Sequence, residues 1–177
     1  MLGDDTTAQR LRLLETEFTQ HQQRGPGDGR TATRVEAPAP IDLGTLDYMR
    51  AAVTEVVQHT HAAAPDAGPY RGSVEQVYDW AREHTAGLDE HRQQARETLI
   101  YRQGLEHALA AGDTTVIRKH PCPQCGCYGL YWRAETGKAG CVNHYCTDDN
   151  GVSRSWTLAY LAQQHIASKS ALSARAT

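Results

Sequence analysis

The sequence predicts an α+β protein: a small helical hairpin or bundle, then a cysteine-rich β-hairpin module, then a C-terminal helix. Three observations predict it. Apolar residues recur at three- and four-residue steps between about residues 41 and 112, the spacing of one helix face. All five cysteines fall between residues 122 and 146, among β-prone residues and Gly-rich turns. A last stretch of helical spacing, Leu158, Leu161 and Ile166, follows Thr157.

The 177 residues suffice for one ordinary domain or two very small ones. Leu, Ile, Val and Phe number only 28, against 24 Ala, so the core must be thin and Ala-rich. So few large apolar residues combined with a high net charge would indicate disorder, but the formal charge is only −3. No run approaches the roughly 18 apolar residues of a membrane span. The opening Met1-Leu2-Gly3-Asp4-Asp5 lacks the basic, apolar, small-residue order of a signal peptide. A cytoplasmic protein is the expectation.

Residues 1–24 form the first unit. Leu11, Leu14 and Phe18 share one face of an amphipathic helix, which either docks on a partner or a second copy of the chain, or packs on the chain's own bundle. Gly25-Pro26-Gly27-Asp28-Gly29 stops it, and residues 25–40 read as a flexible linker ending at Pro38-Ala39-Pro40. Residues 41–112 make the bundle. Its first helix runs from Ile41 to His61, with Asp42 as N-cap and Leu46, Met49, Val53, Val56 and Val57 inward. Ser73 and Gln76 have capping-box spacing and open a short helix burying Val74, Val77, Tyr78 and Ala81, with Trp80 at its edge. A third helix spans about Leu88–Ala111 on Leu88, Ala95, Leu99, Leu105 and Leu109. Short connections make these a hairpin or bundle. Residues 113–168 hold the cysteine module and a helix capped by Thr157. Residues 169–177, small and polar, read as a disordered tail.

An odd cysteine number in a reduced compartment argues against a disulfide framework and for a metal. In Cys122-Pro123-Gln124-Cys125-Gly126, two thiolates three residues apart can grip one ion while the glycine permits the tight turn. Fifteen residues later come Cys141 and Cys146, a separation suited to a β-hairpin, Tyr128–Arg133 out and Lys138–Val142 back, turning at Glu135-Thr136-Gly137. The expected ligands of a structural Zn2+ are Cys122, Cys125, Cys141 and Cys146, with His144 as the alternative to Cys146. Cys127 is the spare thiol. Structural zinc supplies roughly 10 kcal/mol or more to modules of this kind, which lack the apolar residues to fold alone. Four protein ligands leave no position for water or substrate.

Residues 122–146 resemble a zinc ribbon. The wider string Cys122-Pro123-x-Cys125, Leu130-x-Trp132-Arg133-Ala134-Glu135-Thr136-Gly137, Cys141-x-Asn143, Cys146, Asp149-x-Gly151 and Trp156-Thr157 resembles small uncharacterised proteins of actinobacteria and their phages. The resemblance spans roughly residues 38–165, including Pro38-Ala39-Pro40. It implies a zinc-ribbon module and a phage or mobile-element origin, and brings no activity with it.

A non-catalytic binding or adaptor protein acting through protein contacts is therefore expected. The alternative is a nucleic-acid-binding regulator in which Arg118, Lys119, Arg133, Lys138 and Arg154 meet phosphates while Tyr131 or Trp132 stacks on a base. Charge weighs against strong autonomous binding: residues 113–156 hold five bases and four acids, and a four-thiolate zinc site adds −2, leaving about −1. In the plainer reading Trp132 and Trp156 pack over the hairpin and the bases are solvated. No HExxH, phosphate loop or nucleophile elbow occurs, so no enzyme is expected. His59 and His61 fall on different helix faces, and His84, His91 and His107 read as helix-surface residues.

Overall fold

A computed structural model describes residues 5–23 and 43–175. The linker 25–40, the cap Asp42 and the side chains of Phe18 and Leu46 lie outside the described residues. Among the described residues, six helices, a 3-10 turn and three short strands follow in order. Helix α1 is Asp5–Gln23 and α2 is Leu43–Ala63. The 3-10 turn Val74–Gln76 leads into α3, Val77–Thr85. Helices α4, Glu90–Ala110, and α5, Thr115–Arg118, precede β1, Tyr131–Arg133, β2, Lys138–Gly140, and β3, Ser155–Trp156. Helix α6, Leu158–Arg175, closes the chain.

The 21 residues of α4 span about 32 Å and form a spine with one core at its middle and another at its C-terminal turns. Leu99 and Ile100 join the first core with Leu11, Leu14, Met49, Val56, Val77, Tyr78 and Ala81, drawn from α1, α2 and α3. Leu105 and Ala108 join the second, with Val116 and Ile117 of α5, Leu158 and Leu161 of α6, and the interior of the cysteine module.

Local chemistry explains the boundaries. The Ser73 N–H donates to Gln76 Oε1 at 3.1 Å, opening the turn into α3. Asp89 caps α4 by accepting from the Arg92 N–H at 3.0 Å, and Thr157 Oγ1 accepts from the Tyr160 N–H at 3.2 Å to start α6. Leu11 and Leu14 are buried within this chain, where α1 lies on α4 and α2. The α1–α4 contact is close because residue 104 is glycine: a Cβ there would sit 2.5 Å from Thr7 Oγ1. Arg10 reaches across and donates to the Gly104 carbonyl at 3.1 Å.

The three strands form one antiparallel sheet in the order β1-β2-β3. Trp132, Ala139 and Trp156 stand in register on its inner face, and both tryptophans pack on the second core. Tyr131, Gly140 and Ser155, with Arg133 and Lys138, share the outer face.

Several expectations need correction. The hairpin strands are shorter than 128–133 and 138–142, because Tyr128 bridges back to Pro121 and the Cys141 N–H is taken by the Arg154 carbonyl. A third strand, which the two-stranded hairpin did not anticipate, pairs with β2 through Ser155 and Trp156. Helix α6 runs to Arg175 rather than fraying from residue 169, because its Ala-, Ser- and Leu-rich continuation contains no helix breaker. Finally, His107 is buried, not a surface residue: it follows Leu99 and Gln103 by eight and four positions, on the α4 face that α2 and α3 cover.

That histidine is held by a directional network. Tyr78 O–H donates to Gln103 Oε1 at 2.9 Å, so its oxygen accepts from His107 Nε2 at 2.8 Å. His107 Nδ1 is then bare and accepts from Tyr48 O–H at 2.6 Å. The Gln103 amide donates onward to the Ala52 carbonyl at 3.1 Å and to Glu55 at 3.0 Å. Burial, and then the Arg10 and Arg102 cations, keep His107 neutral, pulling its pKa down to about 4.

Candidate metal centre

Two loops of similar design supply the cysteines. In the first, the Cys122 N–H donates to the Cys127 carbonyl at 2.8 Å and the Gly126 N–H to the Cys122 carbonyl at 2.9 Å. Gly126 adopts φ +70°, the left-handed conformation that turns the chain back. The Cys125 N–H points at Cys122 Sγ from 3.4 Å. The second loop repeats the pattern: the Asn143 N–H points at Cys141 Sγ from 3.4 Å, and the Cys146 N–H donates to the Asn143 carbonyl at 2.9 Å. Arg154 N–H donates to the Cys146 carbonyl at 3.0 Å, tying the second loop to the approach of β3.

These loops place Cys122, Cys125, Cys141 and Cys146 so that all four sulfurs lie within 4.8 Å of one another. Cys122 and Cys146 Sγ are 3.7 Å apart, as are Cys125 and Cys141 Sγ. A tetrahedral ion with metal–sulfur bonds of about 2.3 Å requires sulfurs about 3.8 Å apart, so the spacing fits a metal and not a disulfide near 2 Å. All five cysteines are free thiols. Cys122, Cys141 and Cys146 are buried, and Cys125 closes the exposed side.

Electrostatics agree. The Cys127 backbone N–H, foremost, pulls the Cys125 thiol down to about 6, whereas desolvation pushes Cys146 up to about 12 and also raises Cys141. Packed together, the four sulfurs oppose one another's ionisation, and a bound dication removes that opposition. The cluster can hold a metal ion in a structural role. With four protein donors the tetrahedron is complete.

The fourth sulfur is that of Cys146. His144 is exposed, with its ring 3.9 Å from that of Tyr145, outside the cluster. Cys127 also stands outside it, its exposed sulfur 3.9 Å from Asn143 Nδ2.

Of the residues singled out for nucleic acid, Trp132 packs on the second core and the other six divide. Arg133 lies over the Tyr131 ring, 5.0 Å from its centroid, and its Nε donates to the Tyr131 hydroxyl at 2.9 Å. Lys138 stands opposite Arg133 on the same sheet face. Gly140 makes room for the ring, since a Cβ there would meet Tyr131 Cζ at 2.9 Å. Arg154 is used internally, its Nε donating to the Thr147 carbonyl at 2.9 Å. Arg118 and Lys119 are exposed at the end of α5, not on the sheet face.

The chain matches no protein-family model, no curated protein and no solved structure. Its chemistry therefore rests on its own geometry. Sequence reasoning missed one cluster beside the metal centre: Tyr101, His120 and His165. The Tyr101 and His165 rings stack at 4.1 Å and 10°, and His120 Nε2 lies 3.2 Å from the Tyr101 hydroxyl. No local pattern announces it, because the three residues come from α4, the end of α5 and α6.

No described helix is long and apolar enough to cross a membrane.

Proposed function

We propose that the chain is a non-catalytic zinc-ribbon protein, a binding or adaptor module acting through protein contacts. The observation that carries this reading is the closed set of four sulfurs, which suits Zn2+ by donor type and spacing and keeps no coordination position for a reacting water or substrate. The loops the ion braces expose apolar side chains: Tyr145 is 84% exposed, and Val142 and Val152 are exposed beside it in sequence. Apolar groups held out on a rigid loop favour a protein partner. The resemblance of the cysteine string to actinobacterial and phage proteins supports a phage or mobile-element origin.

Metal analysis of protein purified without chelator tests the centre. One zinc per chain is expected, lost in Cys146→Ser and retained in His144→Ala. Zinc-free protein with an intact sheet, or loss of metal in His144→Ala alone, overturns the reading.

A second reading has one specific observation behind it. Tyr131, Arg133 and Lys138 form a preorganised cation–aromatic patch of the kind that meets a phosphate and a base. If this patch binds nucleic acid, affinity falls steeply with salt and is lost in Arg133→Ala with Lys138→Ala. Absence of binding at low salt removes this reading and leaves the protein-contact one standing.

A further inference from the structure

A cleft of about 710 Å³ separates the first cysteine loop from α6. Its α6 wall is a single stripe at three- and four-residue steps: Leu161, Gln164, His165, Ser168, Lys169 and Leu172. The opposite wall is residues 119–128, and Tyr101 of α4 lies at the base. The volume falls in the range of small-molecule sites, roughly 300–1,000 Å³.

Two features define the ligand. First, the charge is one-sided: Lys119 stands on one wall and Lys169 on the other, and among the described residues no carboxylate lines the cleft. Asp113 feels the Lys119 charge but is engaged elsewhere, accepting from the Thr115 N–H and hydroxyl and facing Arg10 at 3.9 Å. Second, the lining is rich in flat rings. Tyr101 and His165 are stacked, His120 meets both edge-on, and Tyr128 stands at the mouth, 69% exposed. Leu161 and Leu172 of α6 and Pro121 and Pro123 opposite add apolar lining on which a flat base also packs, and planar rings flanked by two ammonium groups match a planar, anionic ligand.

We propose that this cleft binds a nucleoside phosphate unit, either as a free nucleotide or as the end of a single strand. The base stacks on the exposed Tyr128 ring, and Lys119 and Lys169 hold the phosphate from opposite walls. The site is distinct from the Tyr131–Arg133 patch on the sheet. It rests on the cysteine module being folded, since residues 121–128 form one wall.

Calorimetry on full-length protein whose metal content is measured in the same sample tests the proposal. The probes are adenosine 5′-monophosphate and hexathymidylate with and without a 5′-phosphate, and adenosine and inorganic phosphate serve as fragments. Saturable binding of the monophosphate or the 5′-phosphorylated strand is expected, with each fragment at least tenfold weaker. Preference between those two probes identifies the source of the ligand. Lys169→Glu and Tyr128→Ala, both exposed positions, should each weaken binding tenfold or more, while Arg71→Glu, a charge change on a remote exposed residue, leaves it unchanged. No saturation by either probe at millimolar concentration in metal-loaded protein overturns the proposal. So does equal weakening by Arg71→Glu, or tighter saturation by a Glu-rich peptide. Loss of binding only in metal-depleted samples leaves the cleft assignment standing and indicts the wall instead.

Discussion

On the side of α4 that faces α2 and α3 the core is made by apolar side chains from four helices and adjoins the buried network on His107, in the last turn of α4, whereas on the side that faces α5 and α6 three of the eleven buried core residues are cysteines of the sulfur cluster. The first core is held by desolvated hydrocarbon and by a polar group fully satisfied inside it. The second packs ends of three helices against strands two and three residues long, which are too short to persist unless the sulfurs are drawn together. One helix thus joins two regions whose stability has different sources. Perturbations that act through the metal should strike one region, and those that act through packing or protonation the other.

The largest expected effect separates the two directly. Removing the metal with a chelator, or replacing Cys141 by Ser, should cost the module roughly 10 kcal/mol. Hydrogen exchange should lose protection over residues 121–156 while α3 and the central turns of α4 stay protected. Simultaneous loss of both would show that the cores unfold as one unit.

In the other region, His107→Ala removes the partner of two buried tyrosine hydroxyls and leaves a void, costing about 4 kcal/mol in a urea melt with metal content unchanged. The wild-type network should also respond to acid. His107 titrates near 6.5 when unfolded but near 4 in the fold, so the unfolded state takes up the proton first. Its contribution is complete above pH 6.5 and falls by up to about 3 kcal/mol as the pH drops toward 4. Melts of metal-saturated protein at several pH values, compared with His107→Gln, should show that part of the slope vanish in the variant.

Smaller changes sharpen the contrast. Gly104→Ala should push α1 away from α4 and cost about 2 kcal/mol, read as reduced protection of α1 with the module intact. Gly137, at φ +61° in the β1–β2 turn, should cost about 1 kcal/mol when replaced by Ala, read only in the module and masked while the metal is bound.

Much of this was legible in residue order. The periodicities of Met49, Val56, Leu99, Leu105, Leu158 and Leu161 identify faces that are buried, and the caps at Ser73 and Thr157 mark element starts. Less legible were features that depend on what faces a residue. His107 looks like any polar residue on a helix until Tyr48 and Tyr78 are brought against it, from 59 and 29 positions away. Ser155 and Trp156 become a strand only because β2 has a free edge beside them.

From its order of residues alone, the chain determined that helices flank a pair of cysteine loops able to meet one ion, since helical spacing and chelate spacing are local properties a few residues long. The tertiary structure decided that Cys146 completes the sulfur cluster while His144 stays outside, that α1 lies on Gly104, and that two lysines and a set of rings border one cleft. Those outcomes depend on contacts between distant segments, whose free energies appear only when the segments meet.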